Sequence, residues 1–289
     1  MPQKRSANRT NTLKPHTVDK LTGERGRKVE LNEILNRLVE LLPEVDSVIE
    51  VPRTNRNNQY IPCVGTANEP TFVRTFMQSW NDNYPDELPD IIIENRSRDC
   101  PQGSLEVHYN LEEFDGATAD VAFSTNSSPF DDEVEWLIEF KKIEFVGDTG
   151  GKNLHQEVSV AKLFSPFLSH TRGVLHDMNR ITQHPLGRRK AVIIYAFSLD
   201  HQLITHAESH PRRREQIHPD RTIDRGNQLR RLMRNLEDEP FSLVPMLTPF
   251  EGMCEHLNHE LGERIHHQFD GLQNHPFYVQ GDFVAWEIE

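Results

Sequence analysis

Charged side chains rarely interrupt an apolar strand, yet Trp136-Leu137-Ile138-Glu139-Phe140-Lys141-Lys142 carries an acid and two amines inside one. Side chains alternate across a strand, so Trp136, Ile138 and Phe140 share one face while Leu137, Glu139 and Lys141 share the other. Nineteen residues before Glu139, a second acid stands in the run Ala119-Asp120-Val121-Ala122-Phe123. If the two runs pair as a hairpin, Asp120 comes beside Glu139, and two carboxylates and an amine meet at one place. Hard oxygen donors suit Mg²⁺, with Mn²⁺ as a substitute, and leave positions for water and a phosphate oxygen. The plain alternative makes Asp120 a turn residue and Glu139 with Lys141 a same-face ion pair on a solvated sheet, contributing about 0 to 1 kcal/mol. A solvated edge does not account for the apolar residues on the opposite face and on both sides.

These residues need elements to hold them. Leu31, Ile34, Leu35, Leu38 and Leu42 recur at helical spacing, predicting a helix over 29–42 that stops before Pro43. A short strand is expected over 47–51, a loop over 54–58, and a second helix over 71–81, with Phe72, Val73, Phe76, Met77 and Trp80 on one face. The period then changes to two. Strands are expected over 90–94, around Leu105, Val107 and Tyr109, over 119–124 and over 133–142. Helices follow over 153–165 and 171–182, then Lys190–Leu199, an apolar strand of the kind buried on both faces. The remainder predicts a helix over 223–236, a strand over 241–246, a helix over 250–269 and a terminal strand over 277–288. This order argues for an α/β (α+β) domain, a central mixed sheet with helices on both faces. Residues 29–289 are expected to form one domain, with its core over about 90–199 and an extension over 200–289.

An acid followed after a loop by Glu-x-Lys on the next strand resembles the motif of the restriction-endonuclease-like nucleases, the PD-(D/E)XK superfamily. The resemblance covers roughly 90–199, where the family's order of helix, strand, strand with Asp, strand with Glu-x-Lys, helix and strand is followed. It implies that Asp120 and Glu139 are metal ligands, that the carbonyl of Phe140 completes the metal shell, and that Lys141 is the catalytic lysine. Ala119 stands where the motif is named for Pro, a position that supplies no ligand. Relatives of this fold sometimes add an acid from the first helix, where Glu30, Glu33 and Glu40 lie. The implied activity is Mg²⁺-dependent hydrolysis of DNA phosphodiesters, leaving 5′-phosphate and 3′-hydroxyl ends, in a restriction or defence setting with partner proteins. The alternative is a catalytically inactive nucleic-acid-binding module of the same fold. A carboxylate-pair glycosidase ranks last, since Lys141 beside the acids lowers rather than raises their pKa.

Charge along the chain fits a polyanionic partner, although the whole carries −13. Residues 1–28 hold eight basic residues against two acidic ones, with almost no large apolar side chains, and read as a disordered basic tail. A second basic stretch runs from Arg188 to Arg234 and includes Arg189, Lys190, Arg212, Arg213 and Arg214. Double-stranded DNA is the expected partner, with these residues and Lys152 and Gln156 as candidate phosphate contacts. Cutting both strands at one place implies a homodimer.

Other motifs weaken on inspection. Gly147 and Gly151-Lys152 are separated by three residues where a Walker A loop has four, and Asn153 follows the lysine instead of Ser or Thr. Cys254, His256, His259, Glu260, His266 and His267 lack the His-Glu-x-x-His order of zinc proteases and read as a polar helix surface. Cys63, Cys100 and Cys254, odd in number and far apart, exclude a disulfide scaffold. Mean hydropathy is −0.66, no run approaches a membrane span, and no apolar leader is present, so the expected location is the cytoplasm, away from membranes.

Overall fold

The computed structural model describes residues 29–50, 62–85, 107–108, 118–124, 134–143, 163–164, 173–183, 187–198, 242–275 and 278–289. Its elements are helix α1 (Leu31–Val48), helix α2 (Glu69–Asn83), strands β1 (Val107–His108), β2 (Thr118–Ala119), β3 (Val121–Ser124) and β4 (Val134–Ile143), helix α3 (Val174–Thr182), strand β5 (Arg189–Phe197), helix α4 (Val244–His256), and strands β6 (Ile265–Phe269) and β7 (Gly281–Ile288). The basic tail, the strand expected over 90–94, the helix expected over 223–236, and Lys152, Gln156, Arg212, Arg213 and Arg214 lie outside the described residues.

Five strands form a mixed sheet in the order β3-β4-β5-β7-β6, while β1 and β2 make a separate two-stranded ladder. β3 and β4 are antiparallel, β4 and β5 parallel, and β5 pairs antiparallel with β7. The parallel step requires a crossover, and α3 belongs to that connection and packs on β4 and β5. Alternation along β4 divides the core as its sequence dictates. Trp136, Ile138 and Phe140 join the cluster under α1 and α2, and Leu137 and Ile143 join the one under α3 and α4. β5 is buried on both faces from Ala191 onward.

Several boundaries differ from expectation. α1 runs through Pro43 to Val48, replacing the strand expected at 47–51, because Val45 and Asp46 continue its buried stripe. A proline inside a helix costs on the order of 3 kcal/mol, which tertiary burial outweighs here. Residues 244–246 open α4 rather than a strand, with Pro245 in the first turn, where its missing N–H costs nothing. The helix expected over 250–269 ends at His256, and 265–269 form edge strand β6. β7 inserts between β5 and β6, so the C-terminal segment completes the central sheet instead of extending it. No helix among the described residues is long and apolar enough to cross a membrane.

Candidate active site

The β3–β4 ladder ends where Val121 opposes Ile138, and the chain turns at Asp120. Beyond that point one edge of β4 has no strand partner among the described residues, and acidic side chains bond its N–H groups. Asp120 Oδ2 accepts the N–H of Phe140 at 2.8 Å, and Glu69 Oε2 accepts the N–H of Lys142 at 2.7 Å. A strand residue directs its N–H and C=O to the same edge, so the Phe140 carbonyl also points there, between the two carboxylates.

Glu139 and Lys141 project from the α3 face and are met by two residues of that helix. Arg180 donates to Glu139 Oε1, and Asp177 Oδ2 lies 2.6 Å from Lys141 Nζ. Lys141 Nζ is also 3.2 Å from Glu69 Oε1. Asp177, 1 % exposed, bridges the two cations, with Oδ1 at 3.6 Å from Arg180 Nη2. Among the described residues four carboxylates thus face two cations, an excess of two negative charges when all are ionised.

The acids respond as crowded, buried groups must. Burial pushes Glu69 up to about 7, Lys141 opposing and the field of Asp120 adding to the rise. Burial also raises Asp120, although the Phe140 N–H opposes it, and a hydrogen bond links its carboxyl to that of Glu139. Glu139 is raised well above the carboxylate range by burial and by Asp120, against the pull of Arg180. Burial alone would depress Lys141, but Glu69 and Asp177 more than offset it, so the side chain stays an ammonium at neutral pH.

The site is anchored from behind. Lys142 reaches the opposite face, donating to the carbonyls of Gly65 and of Ala67, the latter at 3.1 Å. Asp46 on α1 accepts the N–H of Val64 at 2.9 Å. These bonds fix the turn that leads through the N-cap Asn68 into Glu69, the first residue of α2. Gly65 lies so close to Tyr278 that an added Cβ would fall 2.0 Å from its ring, so only glycine lets the turn approach.

Asp120, Glu139, Phe140 and Lys141 are therefore brought together as their spacing suggests, while Glu69, Asp177 and Arg180 join them without having been singled out. Glu30, Glu33 and Glu40 do not reach the site. Glu30 pairs with Arg189 at 2.8 Å, Glu33 accepts the N–H of Glu30, and Glu40 bonds Arg37 and Tyr84. Helices bring two acids to the site, Glu69 from α2 and Asp177 from α3. His266 and His267 lie on β6, bonded to Asp282 at 2.8 Å and Asn32 at 2.9 Å. Burial raises the Cys63 thiol to about 11, as befits a structural cysteine.

Of the described basic candidates, Arg188 is exposed, whereas Lys190 donates to the Thr182 carbonyl at 2.7 Å. Arg189 chelates Glu287 through two bonds of 2.7 Å and lies 3.9 Å over the Trp136 ring. Arg189→Met is expected to lower stability by roughly 1 to 2 kcal/mol, read as a drop of about 2 to 4 °C in a thermal melt.

No family model matches the chain, and neither does any curated protein or solved structure with which it was compared.

Proposed function

We propose that this protein is a divalent-metal-dependent DNA endonuclease of the restriction-endonuclease-like class. The observation that carries the reading is the meeting of Asp120, Glu139 and the Phe140 carbonyl at one edge of β4, beside a lysine held as an ammonium. The donor set fits Mg²⁺ or Mn²⁺. It consists of oxygens, and burial raises the pKa of both carboxyls, so a cation there would compete with protons. Among the described residues no three His, Cys, Asp or Glu side chains converge as a ready ligand set.

Bound there, the ion would act as a Lewis acid on a phosphodiester oxygen and lower the pKa of its water. Asp120 and Glu139 would hold it, and Asp120 keeps the Phe140 carbonyl in place through the adjacent N–H. Lys141, fixed as an ammonium by Asp177 and Glu69, orients the attacking water and offsets charge on the phosphate. The products are then 5′-phosphate and 3′-hydroxyl ends, and a two-fold dimer would supply the second strand's cut.

The test is incubation of plasmid and phage DNA with Mg²⁺ or EDTA, comparing the parent with Lys141→Ala. Cutting that needs Mg²⁺ and falls at least about a hundredfold in the variant supports the reading. Salt-dependent DNA binding without cutting, equal in both proteins, would favour an inactive binding module of this fold.

A further inference from the structure

Arg180 stands one helical turn after Asp177, and its guanidinium is committed to the carboxylate that the proposed metal requires. Its side chain is only 16 % exposed, and Asp177 lies between it and Lys141. We propose that Arg180 is a phosphate-binding catalytic residue, held on Glu139 until a divalent cation claims that carboxylate. This inference rests on the nuclease reading of the site.

Three features carry it. One carboxylate oxygen cannot serve a guanidinium at hydrogen-bond distance and a divalent ion together without pressing the two cations against each other in a poorly solvated place. Arg180 is seated on Oε1 alone, and a divalent ion on either oxygen of Glu139 repels the guanidinium and loosens its hold. Asp177 then decides where the released group goes. It keeps Arg180 beside the site instead of letting it reach into solvent, while Lys141 stays engaged by Asp177 and Glu69. Finally, with two carboxylates in excess over two cations, a divalent ion brings the cluster to neutrality, and an entering phosphodiester adds a negative charge. A freed guanidinium, whose forked donors match two phosphate oxygens, is the local group suited to that charge as it grows in the transition state.

The experiment pairs Mn²⁺ titration by calorimetry, without DNA, with single-turnover cleavage at saturating Mn²⁺, on the parent, Arg180→Gln and Arg180→Lys. Arg180→Gln removes the cation that competes for Glu139 and should tighten Mn²⁺ binding by about fivefold or more, while slowing cleavage by about a hundredfold or more. These opposite movements are the signature. Arg180→Lys keeps a charge beside Glu139 and loses the fork, so Mn²⁺ affinity should stay within about twofold and cleavage fall roughly tenfold. If Arg180→Gln weakens Mn²⁺ binding and cleavage together, Arg180 merely supports Glu139 and the proposal fails. Unchanged cleavage in both variants overturns it as well. A parent protein that neither binds Mn²⁺ nor cuts DNA would refute the nuclease reading itself, before either variant is compared.

Discussion

Asp120→Asn is expected to abolish metal-dependent cleavage, by about a thousandfold or more, and at the same time to make the metal-free protein harder to melt. The first effect follows from replacing a charged ligand by a neutral one at Asp120, the residue just before β3, a loss of about 4 kcal/mol of transition-state stabilisation. The second follows from the same charge. Asp120 raises the pKa of both Glu139 and Glu69, so removing it lets those two carboxyls ionise more easily where they are buried. Asparagine keeps an oxygen for the Phe140 N–H, now bonded at 2.8 Å, so the backbone at the end of β3 has no reason to move. Roughly 1 to 2 kcal/mol of relieved repulsion should appear as a rise of about 2 to 4 °C at pH 7.5 in EDTA. Activity lost with stability gained identifies a residue kept for function at the fold's expense. Full cleavage by Asp120→Asn would remove Asp120 from the chemistry, and a lower melting temperature would show that its contribution is structural.

The parts of this site that follow local periodicity are visible in the residues themselves. β4 alternates, so the separation of Glu139 and Lys141 from Trp136, Ile138 and Phe140 needs no knowledge of the fold, and the apolar run of β5 announces a strand covered on both sides. What depends on which element lies beside which is not visible. Asp177 and Arg180 share one turn of α3, and an acid and a base three residues apart on a helix look like an exposed ion pair until the crossover lays that helix over β4. Glu69 follows an N-cap asparagine and precedes a proline, a setting in which an acid is explained by the helix dipole alone. β6 was obscured for a different reason. Its sequence Ile265-His266-His267-Gln268-Phe269 alternates weakly, and the genuine helix before it carries the helical reading forward past His256. At Pro43 and Pro245 the same residue type had two meanings. Burial beyond Pro43 overrode its cost, whereas Pro245 marked a helix start inside a run that looked like a strand.

Metal-free protein should lose stability as pH rises from 5 to 8, contrary to the usual behaviour of salt-bridged carboxylates, and Mg²⁺ should restore it at the upper end. The sign comes from the direction of the shifts. Glu69 lies at about 7 against an ordinary 4.5, and Asp120 and Glu139 are also raised. Between the ordinary and the raised values the folded chain holds protons that the unfolded chain has released, so raising the pH favours unfolding. The loss begins near pH 4.5 and, for Glu69, is complete somewhat above pH 7. Glu69 alone contributes on the order of 2 kcal/mol, or about 4 °C in a melt. Lys141 does not interfere, because its raised pKa matters only above the ordinary lysine value. His259 and His267, whose pKa values are lowered chiefly by burial, act in the opposite sense near pH 6. The measurement is therefore the difference between the parent and Glu69→Gln, which carries the same histidines. That difference should grow with pH in EDTA and shrink when several millimolar Mg²⁺ is added at pH 8, yet change little with Mg²⁺ at pH 5, where protons already occupy the carboxyls. If parent and variant respond to pH in parallel, or Mg²⁺ stabilises the parent equally at pH 5 and pH 8, protons and metal do not compete for these acids and the cluster is not a cation site.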